Sequence, residues 1–244
     1  MLGVLIALPL TAAVGYAAEV TIARSLYTRD HLDHVLATFG LILIADTTVH
    51  FFWGAEGMGI PTPEWAQGRV TFAGAEIPAF RLVIVGTGLA VAAGLWLMVT
   101  RTRLGMLIRA GASNRTMVQA LGVDIQRLFA IVFALGAAMA GLAGLMIAPI
   151  TEASIGMGNE IIIVAFVVII IGGIGSVKGA LIGALIVGVI DTMGRSYLDV
   201  LLLVVMSPDH AETAAPALSA MLIYILMAAI LVIRPEGLFP PRTR

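Results

Sequence analysis

Few side chains in this chain are equipped for chemistry, and several of them stand where charge is costly. Asp46 lies in the middle of the apolar run Val35–Trp53 and is followed by Thr47 and Thr48. Lys178, the only lysine, adjoins the run GGIGSVKG at 172–179, and Asp191 precedes Arg195 by about one helical turn. A charge at the centre of a membrane helix costs roughly 2.5–3.5 kcal/mol on insertion scales, so each of these needs a reason. For Asp46 and Thr47 two readings stand side by side: a polar stretch of an internal pathway, or a structural partner for a neighbouring helix. Asp191 and Arg195, at i and i+4, read as a structural ion pair. His31 and His34 have a spacing that a metal would accept, but polar residues at a membrane boundary are the simpler reading. HExxH, GxSxG and paired intramembrane carboxylates do not occur, and cysteine is absent. No catalytic residue, metal site or cofactor is expected. The glycine run lacks the GxxxxGK[ST] spacing of a phosphate loop, so nucleotide binding by that device is excluded as well.

The elements that carry these residues follow from composition. Of 244 residues, 60% are hydrophobic and 12% charged, with a net charge of -1 and a mean hydropathy of +1.04. Soluble domains carry roughly 25% charged residues, so a polar surface for a globule is not available. The pattern predicts an all-α, polytopic membrane protein, a single domain over 1–244. At roughly 20 apolar residues per crossing it holds about 6–8 transmembrane or re-entrant helices. The apolar runs are 2–22, 35–53, 82–99, 129–150, 161–190 and 217–233, while 197–206 is too short to cross alone. Residues 1–18 lack the basic start of a signal peptide and read as part of a span.

Charge placement orients these runs. Arg101, Arg103, Arg109, Arg115 and Arg127 fill 100–128 against Asp124, and Arg234, Arg242 and Arg244 fill the tail against Glu236. Both segments are expected to be cytoplasmic. The loops 54–80, 151–160 and 207–216 are acid-rich (Glu56, Glu64, Glu76; Glu152, Glu160; Asp209, Glu212) and are expected outside. Between the second and third of these the chain must cross an even number of times, which one straight helix over 161–190 would violate. A turn at or near Gly172, Gly173, Gly175 and Ser176 is therefore expected, making 161–206 a broken or re-entrant region. Glycine suits it through positive φ and close backbone approach; tight helix packing is the alternative use of such glycines. Residues 102–121 form an amphipathic, Arg-rich stretch with Met106, Leu107, Met117, Val118 and Leu121 apolar. Such a helix lies on a membrane surface or in a partner's groove.

The runs TRLGMLIRAGASNRTMVQALGV, FALGAAMAGLAG, FVVIIIGGIGSVKGALIGALIVG and RPEGLFPP together resemble the LivH-type permeases, membrane subunits of ABC importers for branched-chain amino acids. The resemblance runs from about Arg24 onward. It implies a dimeric pore with a second permease subunit, two cytoplasmic ATP-binding subunits and a periplasmic substrate-binding protein. The chain itself would be no enzyme. It maps the ATPase-coupling segment onto about residues 109–122, within which Arg109, Asn114, Leu121 and Gly122 are the expected coupling residues, while Gly172, Gly173, Gly175 and Ser176 are expected to set pore geometry. It also implies a bacterial inner-membrane location and further spans before the position matching Met1, with an NFAHGE-like motif that is not found here. Urea or a short amide is the alternative cargo. An ATP-independent channel or secondary transporter is the reading from another class, and for a membrane enzyme no acid–base or nucleophile arrangement is found.

Overall fold

An apolar chain in hydrocarbon must satisfy every backbone N–H and C=O internally, and helices do so within one segment. The computed structural model describes residues 2–27, 29–72, 75–205 and 208–239, and these are overwhelmingly helical. Two compact units divide the chain, Met1–Met157 and Gly158–Arg244.

The first unit opens with α1 (Leu2–Ala18), a π-helical turn (Glu19–Ala23) and the short α2 (Arg24–Leu26). Then come α3 (His31–Trp53), a 3-10 turn (Glu64–Ala66) and a small antiparallel ribbon, β1 (Arg69–Phe72) with β2 (Ala75–Pro78). In the ribbon Val70 faces Ile77 and Thr71 faces Glu76. The long α4 (Ala79–Arg101) leads into α5 (Arg103–Ser113) and α6 (Arg115–Ala120), and α7 (Ile125–Thr151) closes the unit. Helix α1 packs along α7 through small residues. A Cβ on Gly15 would run into the Ala137 Cβ, and one on Gly141 would lie 2.7 Å from Thr11 Oγ1. The loops 54–80 and 151–160 meet in a two-way backbone bridge, Met58 with Ala153, at 2.9 and 3.0 Å. Two loops whose acidity assigned them to one side thus lie at one end of the unit.

The second unit contains α8 (Met157–Gly172), α9 (Val177–Val205) and α10 (Pro208–Ile233). Val167, Ile171, Val187 and Ile223 form its buried core, with Leu226, Ile230 and Leu238 against it. Five helices among the described residues are long and apolar enough to cross a membrane, and Met157–Gly172 and Ala217–Ile233 are shorter apolar segments. At about 1.5 Å per residue, the 16 residues of α8 rise about 24 Å, short of a hydrocarbon core of about 30 Å.

Several sequence expectations are corrected here. The amphipathic stretch 102–121 is two helices rather than one, because Asn114 takes an extended conformation (φ -150°, ψ 97°) between them. The segment 197–206 is not separate: α9 continues from Val177 to Val205, helped past its polar middle by the Asp191–Arg195 pair at 2.9 Å. The acid-rich 207–216 is helical from Pro208, a residue suited to the first helical turn, where its missing N–H costs nothing. Met206, Ser207, Arg242 and Arg244 lie outside the described residues.

Candidate functional site

The Arg-rich connecting segment is built by three successive side-chain caps. Thr102 Oγ1 accepts the Gly105 N–H at 3.2 Å, Asn114 Oδ1 accepts that of Met117 at 3.0 Å, and Asp124 Oδ1 accepts that of Arg127 at 3.1 Å. Each satisfies a first-turn donor that has no partner within its helix. At the far end of α6 the Gly122 N–H donates to Gln119 O at 2.9 Å and the Val123 N–H to Val118 O at 3.3 Å. That pair of bonds, with Gly122 at φ +82°, is a Schellman terminator. The segment is therefore a fixed shape. Its underside holds Val118, Ile125 and Leu128, all buried.

The four residues expected to couple to an ATPase are not equivalent. Asn114 and Gly122 shape the backbone as just described. The Arg109 guanidinium donates to the Val99 carbonyl near the end of α4. Leu121 is 76% exposed, and Met106 and Met117 are also exposed. Apolar side chains presented by a capped, rigid, basic segment outside the spans are what a partner's groove would read.

The glycine run is a turn with a lid. Helix α8 stops at Gly172 and α9 starts at Val177; Gly173 (φ +100°) and Gly175 (φ +86°) take backbone conformations that L side chains resist. Ser176 Oγ accepts the Gly179 N–H at 3.0 Å and so caps α9. A Cβ on Gly172 or Gly179 would strike the other's carbonyl group, and one on Gly183 would lie 2.8 Å from Val168 O. The segment after α10 covers the turn. Leu238 donates its N–H to Ile171 O at 2.9 Å, and Phe239 to Gly172 O at 3.1 Å. Two carbonyls at the end of α8 that its own helix leaves unpaired are thereby satisfied. Ile171, Gly172 and Gly173 are buried here, while Ile174 is 74% exposed.

Asp46 and Thr47 sit on α3, which buries none of its described residues. Thr47 and Thr48 return their hydroxyls to Leu43 O and Ile44 O at 2.7 and 2.6 Å. Thr47 also lines an open groove with Leu43, Ile44, Phe51 and Phe52. A second crevice of about 250 Å³, between α1, α4 and α7, is lined by Leu8, Val91, Leu95, Met98, Leu135 and Met139 among others. It offers no charged group to orient a zwitterion. His34 lies against the Tyr27 ring, 6.5 Å between centroids, and among the described residues no three His, Asp or Glu side chains converge as a metal site.

One cluster escaped the sequence reading. Glu19, a lone acid within the apolar run 2–22, is completely buried in the π-helical turn. It accepts a hydrogen bond from the Tyr27 hydroxyl at 3.3 Å and pairs with Arg24 at 3.6 Å. The Arg115 guanidinium carbon lies 4.5 Å from the Tyr27 ring centroid and 4.6 Å from that of Phe129. The only hint in the sequence was the lone acid at position 19 with Arg24 and Tyr27 on the following turns.

Long apolar helices joined by a capped basic connecting segment define a multi-pass membrane protein. The chain belongs to the family described as branched-chain amino acid transport system / permease component, which matches residues 1–231. It is 28% identical to the high-affinity branched-chain amino acid transport system permease protein LivH of Escherichia coli (strain K12). That match covers 94% of this chain and 73% of LivH. It is 30% identical to the permease protein BraD of Pseudomonas aeruginosa, over 93% of this chain and 70% of BraD. The ribose import permease protein RbsC of Escherichia coli (strain K12) is 31% identical over 58% of this chain and 40% of its own length. No solved structure matches.

Proposed function

We propose that this chain is the membrane permease subunit of an ABC importer that carries branched-chain or related amino acids across the bacterial inner membrane. The observation that carries this reading is the exposed Leu121 at the tip of a capped, arginine-rich helix pair in a chain whose relatives LivH and BraD are branched-chain amino acid permeases. Two cytoplasmic ATP-binding subunits would seat on α5 and α6, with Leu121 as the apolar anchor and Arg109, Asn114 and Gly122 holding its backing. Segment 100–128 and the C-terminus are assigned to the cytoplasm. A second permease subunit would complete the pore, and a periplasmic binding protein would deliver cargo to the acid-rich loops. The chain contributes no ATP hydrolysis of its own.

Closure of the ATPases would tilt the spans between inward- and outward-open states, which nucleotide biases only by its differential affinity for the two. The turn at Gly172, Gly173, Gly175 and Ser176 would then hold α8 and α9 in the register that shapes the pore. Asp46 and Thr47 would supply polar groups on the path. The test is reconstitution in proteoliposomes with the ATPase, second permease and binding protein from the same operon, followed by leucine uptake with and without internal ATP. ATP-dependent leucine uptake is expected. Uptake by the chain alone without ATP would instead make it a channel or secondary transporter. Ribose, as the cargo in the name of RbsC, and urea are the comparison solutes.

A further inference from the structure

The buried cluster around Glu19 joins the connecting segment to the first membrane helix. Arg115 is the first residue of α6, held in place by the Asn114 cap beside it. Its guanidinium covers both Tyr27 and Phe129, a cation–π arrangement that gains strength with desolvation. The two rings meet edge to face with centroids 5.9 Å apart, so they form one surface for the cation. From Tyr27 the chain of contacts continues through the hydroxyl to Glu19 Oε1. Glu19 Oε2 is buried and accepts no hydrogen bond, its nearest cation being Arg24 at 3.6 Å. A carboxylate in that state is sensitive to small displacements of its partners, since an uncompensated buried charge is costly.

The backbone under Glu19 is itself unusual. The turn Glu19–Ala23 is π-helical, with one residue more than an α-turn, and such bulges are frequent at functional sites. Moving the extra residue along the helix rotates everything before it. Here that is α1, whose Thr11 and Gly15 fit against Gly141 and Ala137 of α7.

We propose that Arg115 is a positioning residue that passes movement of the α5–α6 segment, through Tyr27, to the buried Glu19 and the π-helical turn of the first span. This rests on the importer reading above, and adds to it the route from docking surface to membrane. Leu121 binds the ATPase; Arg115 transmits the stroke.

The test has two arms. In the reconstituted complex, Arg115→Ala is expected to leave ATPase assembly intact and hydrolysis near wild type, while leucine transported per ATP falls several-fold. Arg115→Lys restores part of the yield, and Tyr27→Phe, which deletes only the hydroxyl, lowers it less than Arg115→Ala. Loss of assembly, or hydrolysis and uptake falling together, would place Arg115 in docking or folding and overturn the proposal. In the second arm the chain alone carries a spin label at Thr21→Cys, a clean site because the chain has no other cysteine. Arg115→Ala is expected to change the label's mobility, and Gln119→Ala is not. An unchanged spectrum overturns the link whatever the uptake shows. A wild-type complex without ATP-dependent uptake defeats the importer reading alone.

Discussion

Gly237 lies backbone to backbone against Gly173: a Cβ on Gly237 would sit 2.6 Å from both the N and the Cα of Gly173. Both residues also have positive φ, +84° and +100°. The contact lets the end of the chain seal the turn between α8 and α9. Gly237→Ala therefore meets two penalties. The backbone conformation costs about 1 kcal/mol or more, and overpacking against fixed backbone adds about 1–3 kcal/mol. Thermal unfolding in detergent should show a clear fall in midpoint. Gly188→Ala is the comparison, since a Cβ there meets nothing within 4 Å; it should be neutral or gain up to about 1 kcal/mol from helix propensity.

Asn114 divides the connecting segment into two helices, and its side chain is what starts the second. Asn114→Ala should cost about 0.5–2 kcal/mol, the usual range for a lost N-cap. Asn114→Asp, which keeps the acceptor, should cost little. Hydrogen exchange at the Met117 amide is the direct measure: faster in the alanine variant, near wild type in the aspartate variant. Equal protection in all three would mean that the cap does not hold α6.

Leu121 and Gly122 are adjacent but do different things. The Leu121 side chain is largely exposed, whereas Gly122 has φ +82° with nothing within 4 Å of a Cβ. Leu121→Asp should thus leave thermal stability unchanged and abolish capture of the ATPase subunits. Gly122→Ala should cost about 1 kcal/mol through backbone strain alone and leave capture largely intact. The reverse pattern would show that the backbone turn, and not the leucine, forms the contact.

What was legible in the sequence was carried by charge. The spacing of arginines and acids identified the ends of α3, α4 and α7 to within a few residues, and the parity it imposed required a turn where Gly173 and Gly175 make one. The division at Asn114 was not legible, because an amphipathic pattern survives a capped break that keeps both halves on one surface. The continuity of α9 was hidden by Asp191, Arg195 and Tyr197, which look like a boundary until the ion pair between the first two is seen. The fold around Glu19 was hidden for a different reason. A buried carboxylate is identified by what surrounds it, and Arg115 and Phe129 come from positions about a hundred residues away along the chain. Likewise RPEGLF read as a tail, since nothing local says that its backbone donors reach Ile171 and Gly172.

Tyr27, just beyond the first span, gives the cluster a signature in pH. Its burial raises the phenol above the ordinary value near 10, and the negative charge and hydrogen bond of Glu19 raise it further, against opposing effects of Arg115 and Arg24. The folded state therefore holds the proton more tightly than the unfolded chain does. This contribution to stability is complete below about pH 10, where both states are protonated. It is lost as pH rises through the folded-state value, because the unfolded chain ionises first. Ultraviolet titration of the folded protein should show a tyrosine step above the ordinary phenol range, and Tyr27→Phe should remove that step. Arg115→Ala should move the step to still higher pH, since it deletes a cation that favours the phenolate. A step that stays in place, or moves down, would mean that Arg115 does not sit over the Tyr27 ring in solution.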